Sequence, residues 1–190
     1  MIKDLVQKNR SYRRFYENHK INLETLRELV ALARITPSAA NRQSLKYVLS
    51  NTEGKNAKIF ETLAWAGYLK EWDGPEPGER PSAYIIVLGD LEIGKNYFDV
   101  NAGIAMQSIL LGAVEKELGG CIFAAINREL LAMSLSIPER YQVLYVIALG
   151  KPKEKVVIDD IIEDDIEYWR DKDATHHVPK RTLDELILNL

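Results

Sequence analysis

The pattern of apolar and polar residues along the chain predicts helices of period 3.6 packed around a few short, buried strands. The clearest amphipathic helix spans Leu23–Ile35, because Asn22 can cap its first turn and Pro37 prevents it from continuing. Its apolar face is formed by Leu23, Leu26, Val30 and Ala33. Further helices are predicted over Ile2–Lys8, Asn56–Ala66 and Leu183–Leu188.

Two continuous apolar runs, Tyr84–Leu88 and Val143–Leu149, predict central strands that are covered on both faces. Each run is followed at once by glycine, which is typical of a strand that ends in a turn. The Gly119-Gly120 pair follows a helical segment, so we interpret it as a helix C-cap. Additional strands are predicted over Leu45–Ser50 and Gly120–Ala124, with a loop over Asp73–Pro81.

The predicted helix Phe98–Leu118 is apolar around most of its circumference. Such a helix must be buried on nearly all sides, and a chain of this size can cover only part of it. We therefore expect a subunit interface along this helix. The alternative is a central helix buried within one subunit. Gly103 and Gly112 would allow another helix to approach closely.

The composition narrows the class of protein. The 190 residues, 46% of them hydrophobic, fit a single globular domain over residues 1–190. A net charge of −3, from 25 basic and 28 acidic residues, argues against nucleic acid as a partner. We expect no membrane association, because no signal peptide and no apolar run of about 18 residues is found. Cys121 is the only cysteine, which suits a reducing, cytoplasmic location and excludes a disulfide framework.

Candidate chemistry lies in two basic clusters near the ends of the chain, Arg10–Arg14 and Lys180-Arg181. Guanidinium, ammonium and hydroxyl groups together suit a phosphate, and the amides and hydroxyls of Pro37–Gln43 could serve a planar cofactor attached to it. Each motif alone is typical of ordinary surface or loop. Neither a glycine-rich phosphate loop nor a nucleophile elbow is present.

No metal site is predicted. His176-His177 could bind a metal, but an adjacent histidine pair in a loop is more typical of surface structure. The acidic segment Asp159–Glu167 does not match a calcium loop and is interpreted as a solvated loop or helix face.

The ordered set of motifs resembles the FMN-dependent nitroreductase family. It consists of NRSYRRF at Asn9–Phe15, PSAANRQ at Pro37–Gln43, DVNAGIAMQSILLGAVEKE at Asp99–Glu117, LGGCIFA at Leu118–Ala124 and VPKRTLDEL at Val178–Leu186. The resemblance implies an α+β fold with a central mixed, mostly antiparallel sheet flanked by helices. It also implies a homodimer, with the long buried helix at the interface and two FMN sites built from both chains.

Site residues follow from the resemblance position by position. Arg10 and Ser11 would contact the FMN phosphate or ribityl chain, Tyr12 belongs to the same cofactor-binding segment, and Arg13 would lie beside the flavin pyrimidine edge. The remaining cofactor-binding residues would be Lys180 and Arg181 at the phosphate, Ser38, Asn41 and Gln43 at the ring and ribityl groups, and Phe123, Ala124 and Ala125 along the flavin edge near N5.

The chain departs from the family pattern at several positions, including Ala39 and Ala40, which replace hydroxyls common in the second motif. Asn9 stands where many members carry a second arginine, which weakens one expected phosphate contact. Ser44-Leu45 replace a Pro-Trp pair that often follows the second motif, which puts the shape of the substrate face in doubt.

The activity implied is hydride transfer from NADH or NADPH through flavin N5 to a small, electron-poor acceptor such as a nitroarene or quinone, in a ping-pong cycle. No side-chain nucleophile is needed, and no catalytic residue is assigned. Two alternatives stay open. One is a dehalogenase or flavin-fragmenting enzyme of the same fold, and the other is a flavin-binding protein that does not turn over.

Overall fold

The computed structural model describes residues 1–188, and its centre is a five-stranded sheet. The strands follow the order β1-β5-β3-β2, with β4 also paired to β5, and every one of these pairings is antiparallel. Their bounds are β1 Phe15–Tyr16, β2 Leu45–Ser50, β3 Ala83–Asp90, β4 Gly119–Phe123 and β5 Tyr141–Pro152.

The two apolar runs form the central strands β3 and β5, as predicted. Ile85 lies opposite Ile147, and every residue of β3 is buried. Alternate side chains enter two separate apolar clusters, with Ile85 and Val87 on one face and Ile86 and Leu88 on the other. Burial on both faces is the reason that these strands lack a polar alternation.

Helices cover both faces of the sheet. The helices are α1 Ile2–Lys8, α2 Leu23–Arg34, α3 Glu53–Phe60, α4 Phe98–Glu115, α5 Arg128–Leu135 and α6 Leu183–Leu186. Asn22 caps α2 as predicted, since its side chain accepts a 2.7 Å hydrogen bond from the Thr25 amide. The helix predicted over Asn56–Ala66 is wrong at its end, because α3 stops at Phe60 and the Ala64 amide bonds the Ala125 carbonyl instead.

Helix α4 is buried on the side that faces α2 and the sheet. A Cβ on Gly112 would collide with Leu32 of α2, so this glycine permits the close approach of the two helices. The opposite side carries apolar residues that stay accessible, with Val100 58% and Ile104 38% exposed. Gly103 lies on that side with open space where a Cβ would stand. The α4 exposed stripe, defined as Val100, Gly103, Ile104 and Gln107, is therefore left exposed by residues 1–188, apart from a hydrogen bond between Asn9 and Gln107.

The Gly119-Gly120 pair is not a helix cap, so that interpretation is wrong. Helix α4 ends at Glu115, and both glycines belong to strand β4. A Cβ on Gly119 would collide with the Tyr12 ring, and one on Gly120 would collide with the Ala148 carbonyl oxygen. Close packing of the segment after α1 and of β5 against β4 thus requires glycine here.

A second, three-stranded sheet follows β5 in the chain. It consists of β6 Val156–Asp160, β7 Trp169–Arg170 and β8 His176–Lys180, with β8 in the middle, parallel to β6 and antiparallel to β7. The interpretation of His176-His177 as a surface loop is wrong, because the pair begins β8 and His176 is 1% exposed. Asp159 and Asp160 likewise belong to β6, whereas the rest of the acidic segment is irregular.

Candidate functional site

The basic segment 10–13 is held against strand β4. Ser11 forms a parallel bridge with Gly120, and the Tyr12 amide donates a 3.0 Å hydrogen bond to the Gly120 carbonyl. The Tyr12 hydroxyl donates to the Lys8 carbonyl at the end of α1. The segment is therefore tied to β4 through its backbone and to the end of α1 through the Tyr12 side chain.

The arginines of this segment differ in their partners. Arg14 forms a two-pronged hydrogen bond with Glu79, which holds the pKa of that carboxyl down at about 2. Among residues 1–188, neither Arg10 nor Arg13 forms an ion pair with a carboxylate. Arg10 also has a buried Nε without a hydrogen-bond partner. A buried N–H left unsatisfied is costly, so an acceptor from a ligand would stabilise it.

Arg13 is only 9% exposed, and the groups that its guanidinium contacts are neutral, while the buried Glu154 carboxylate accepts from its backbone amide. Its Nη1 lies 3.2 Å from His176 Nε2 and 3.2 Å from the Ser11 carbonyl oxygen. Its guanidinium carbon lies 4.6 Å from the centre of the Tyr168 ring. Among residues 1–188, the Arg13 guanidinium is therefore held in place without an ion pair to a carboxylate.

The loop at residues 38–43 has an unusual backbone. Ala40, Asn41 and Gln43 adopt positive φ values of 50°, 52° and 51°. Such a conformation costs about 1 kcal/mol or more for a residue other than glycine, and it persists only where the surroundings impose it. The Ala39 amide donates to the buried Asn101 side chain of α4, and the Gln43 amide donates to Ser38 Oγ, both at 2.9 Å.

A cavity of about 550 Å³ lies between this loop, α2, β2 and α4. This volume falls in the range of small-molecule sites. Its lining includes Ser38 and Gln43, three cationic side chains and no carboxylate. The cationic residues are Arg27, Arg34 and Lys46. The cavity is therefore suited to a ligand with negative charge.

The segment at residues 123–125 lies at the far end of β4. Phe123 is buried with its ring centre 4.6 Å from that of Trp65, whereas Ala124 and Ala125 are exposed. The Ala124 and Ala125 carbonyls accept hydrogen bonds from Arg128 and from the Ala64 amide. This edge therefore offers a fixed backbone with small side chains.

The two residues of the C-terminal basic pair, Lys180 and Arg181, have different partners. Lys180 ends β8 opposite Asp160, and among the described residues its side chain forms no ion pair. Arg181 donates to Asp164 at 2.6 Å, which raises the pKa of its guanidinium, and it lies 3.3 Å from Glu185. Within residues 1–188, no hydrogen bond joins either residue to the segment 10–13.

Residues at or next to two of the predicted site segments contact helix α4. Asn9 contacts Gln107, while the amide of Ala39 contacts Asn101, six residues earlier on the same helix. At 1.5 Å per residue, these two anchor points are about 9 Å apart along the axis. Asn9, which directly precedes the segment 10–13, and the loop 38–43 thus contact α4 within about two turns of each other.

Comparison with known proteins assigns the chain to a family. A sequence model of the nitroreductase family matches residues 6–151. The chain belongs to the nitroreductase family. A protein of Archaeoglobus fulgidus, provisionally named NADH dehydrogenase/NAD(P)H nitroreductase, is 26% identical over 149 residues, which cover 75% of this chain and 80% of the relative.

Solved structures of nitroreductase family proteins share the fold, which confirms the predicted α+β architecture. A family member from Streptococcus pneumoniae TIGR4 superposes over 100% of both chains, with a TM-score of 0.69 and 17% identity. An FMN-dependent nitroreductase from Clostridium difficile R20291 superposes over 86% of this chain and 92% of its own, with a TM-score of 0.66 and 20% identity.

Sequence reasoning missed the residues after β5 that contact Arg13, which are Glu154, Tyr168 and His176. Glu154, whose side chain is fully buried, accepts hydrogen bonds from the backbone amides of Arg13 and Arg14 and from Arg170. His176 and Tyr168 meet the Arg13 side chain. These residues lie outside the stretch that matches the nitroreductase family. Glu154 and His176 lie among polar residues in the sequence, so the local pattern did not indicate that they are buried.

Proposed function

We propose that this nitroreductase family member is an FMN-dependent oxidoreductase that passes hydride from NADH or NADPH to an electron-poor small molecule. The observation that carries the proposal is that three of the basic residues predicted for the site, Arg10, Arg13 and Lys180, form no ion pair among residues 1–188 of a nitroreductase fold. Names given to relatives, which include NAD(P)H nitroreductase and FMN-dependent nitroreductase, support the same function.

The residues fit the cofactor in charge and in hydrogen-bonding capacity. Arg10 and Ser11, with Lys180 and Arg181, would hold the phosphate, and the unpartnered Arg10 Nε supplies a donor that needs an acceptor. Ser38, Asn41 and Gln43 would contact the ring and ribityl groups, and the exposed backbone at Ala124 would lie near the ring edge. FMN, when bound, supplies hydride acceptance and release.

The protein's own contribution is orientation and electrostatics. Arg13 would place a positive charge beside the pyrimidine edge, where it would stabilise the negative charge that reduction brings to that side of the ring. No side chain needs to act as nucleophile. The cationic lining of the cavity beside Ser38 would favour a donor or acceptor that carries negative charge.

We also propose that the functional unit is a homodimer. The α4 exposed stripe leaves Val100 and Ile104 accessible on a helix whose other side is buried, and burial of these residues by a second copy would remove them from water. Asn9, which precedes the segment 10–13, contacts Gln107 of this stripe, and the Ala39 amide contacts Asn101, the neighbour of Val100. A second copy packed on α4 would therefore lie close to both groups.

The deciding experiment is reconstitution of the purified protein with FMN, followed by anaerobic addition of NADH and then NADPH. We expect flavin absorption bands that bleach with one or both donors. Replacement of Arg10 by glutamine should weaken FMN binding by about 10- to 100-fold, the usual effect of losing a charge-assisted hydrogen bond to phosphate. The exposed Lys58→Gln on α3 serves as the control and should bind normally.

Failure to bind FMN would overturn the proposal. Bound flavin that neither donor reduces would favour the non-catalytic alternative. Products of dehalogenation or of flavin breakdown, formed with reduced flavin and oxygen, would favour the other alternative.

A further inference from the structure

We infer that His176 is a positioning residue, which holds the Arg13 guanidinium in place for the cofactor without placing a negative charge against it. The inference rests on the proposed function, because it gives a purpose to the charge of Arg13. It concerns the C-terminal sheet, which lies beyond the part of the chain that matches the family model.

The geometry identifies the direction of the hydrogen bond. Arg13 Nη1 lies 3.2 Å from His176 Nε2, and a guanidinium can only donate. His176 Nε2 must therefore be the acceptor, and the neutral ring carries its proton on Nδ1. The imidazole is enclosed, since His176 is 1% exposed, and its buried Nδ1 has no hydrogen-bond partner among residues 1–188. The backbone amide of His176 donates to the Lys155 carbonyl.

Tyr168 completes the enclosure of Arg13. Its ring lies beneath the guanidinium carbon at 4.6 Å and packs against the His176 ring, with centres 5.2 Å apart. The Tyr168 hydroxyl accepts a hydrogen bond from the Tyr68 amide, and the two tyrosine rings are 4.9 Å apart. A guanidinium held by a ring face and an imidazole has little freedom to change rotamer.

The choice of a neutral acceptor has an electrostatic consequence. Burial, together with the positive charges of Arg13, Arg170 and His177, lowers the pKa of His176 to about 4, so the ring is uncharged at neutral pH. A carboxylate in its place would fix Arg13 equally well but would neutralise it. The adjacent Arg14, which is paired with Glu79, shows that other arrangement within the same segment.

Three variants test the role of His176. His176→Leu removes the acceptor with little change of volume, His176→Gln restores an acceptor near the position of Nε2, and His19→Leu replaces an exposed histidine elsewhere as a control. We expect the Leu variant to bind FMN about tenfold more weakly, and the Gln variant and the control to bind as the wild type does.

The reduction potential of the bound flavin separates positioning from simple structural support. If the reduced cofactor loses tenfold more affinity than the oxidised one in the Leu variant, the two-electron potential falls by about 30 mV. His176→Asp should keep Arg13 in place and still lower the potential, because it cancels the charge. Unfolding curves for each variant show whether the fold is retained.

Imidazole nitrogen NMR on the protein without FMN supplies an independent measurement. The inference requires a neutral His176 with its proton on Nδ1, and a proton on Nε2 overturns it. FMN binding and potential that are identical in the wild type and the Leu variant also overturn it, while the proposed function stands. If the wild type binds no FMN, the proposed function and this inference fail together.

Discussion

The two sheets of this protein are held together by different forces. In the five-stranded sheet, β3 and β5 are enclosed by apolar side chains on both faces, and contacts such as Ile85 opposite Ile147 provide the stabilisation. At the three-stranded sheet, the buried polar groups are His176 of β8 and Glu154, which lies just before β6, and the contacts around them are hydrogen bonds, ion pairs and a tilted aromatic pair. The first sheet should therefore respond to cavities, and the second to lost charge partners and to pH.

The largest expected effect is a cavity in the five-stranded sheet. Ile147→Ala removes fully buried methyl groups from β5 and should lower the free energy of unfolding by about 4 kcal/mol, measured by urea denaturation. The same change at Ile158 of β6, which is 47% exposed, should cost under about 1 kcal/mol. Equal costs at the two positions would show that the sheets do not differ in this way.

At the three-stranded sheet, the comparable disruption is the loss of a buried charge partner. Glu154→Ala leaves the Arg170 guanidinium and the Arg13 amide without their acceptor, and we expect a cost of about 3 kcal/mol. Hydrogen exchange should accelerate in β8 while the amides of β3 stay protected. The exposed Glu163→Ala is the matched control. Unchanged exchange in β8 would contradict the assigned role of Glu154.

Two neighbouring histidines should make the three-stranded sheet sensitive to pH in opposite directions. The pKa of His176 is lowered to about 4 in the folded protein. Between about pH 6.5 and 4, its imidazole is therefore protonated in the unfolded chain but neutral in the folded chain. Its contribution to stability therefore falls as the pH falls through that window. His176→Leu should reduce this loss in unfolding curves recorded across the range.

His177 should behave in the reverse way. Burial lowers its pKa, but hydrogen bonds from its ring to Asp159 and Asp171 outweigh burial and leave the pKa above the ordinary value. Its contribution is thus complete below about pH 6.5 and is lost as the pH rises through the raised pKa. His177→Asn should remove this dependence on the alkaline side. An unaltered pH profile would mean that these ion pairs contribute nothing to stability.

The smallest expected effect is at the cap of α2. Asn22→Ala removes the acceptor for the Thr25 amide and should cost about 1 kcal/mol in thermal or urea unfolding. Because α2 packs on the five-stranded sheet, protection from hydrogen exchange in β8 should not change.

The sequence predicted some elements of the fold closely and others wrongly. Periodicity located α2, β3, β5 and α4 closely, because apolar side chains that are buried together must recur with the period of their element. It misplaced the end of α3, where the chain leaves the helix to pair with the segment at Ala125. It also misinterpreted Gly119-Gly120, since the collision of a Cβ with Tyr12 or Ala148 depends on segments that are distant in the sequence.

The order of the motifs by itself determined the family and named Arg10, Arg13 and Lys180 as basic residues for an anion. Only the tertiary structure decided which of these basic residues have a carboxylate partner. It places Glu79 beside Arg14 and His176 beside Arg13. The physical reason is that a charge is cancelled or preserved by neighbours in space. For these two arginines the neighbours lie 65 and 163 residues away along the chain.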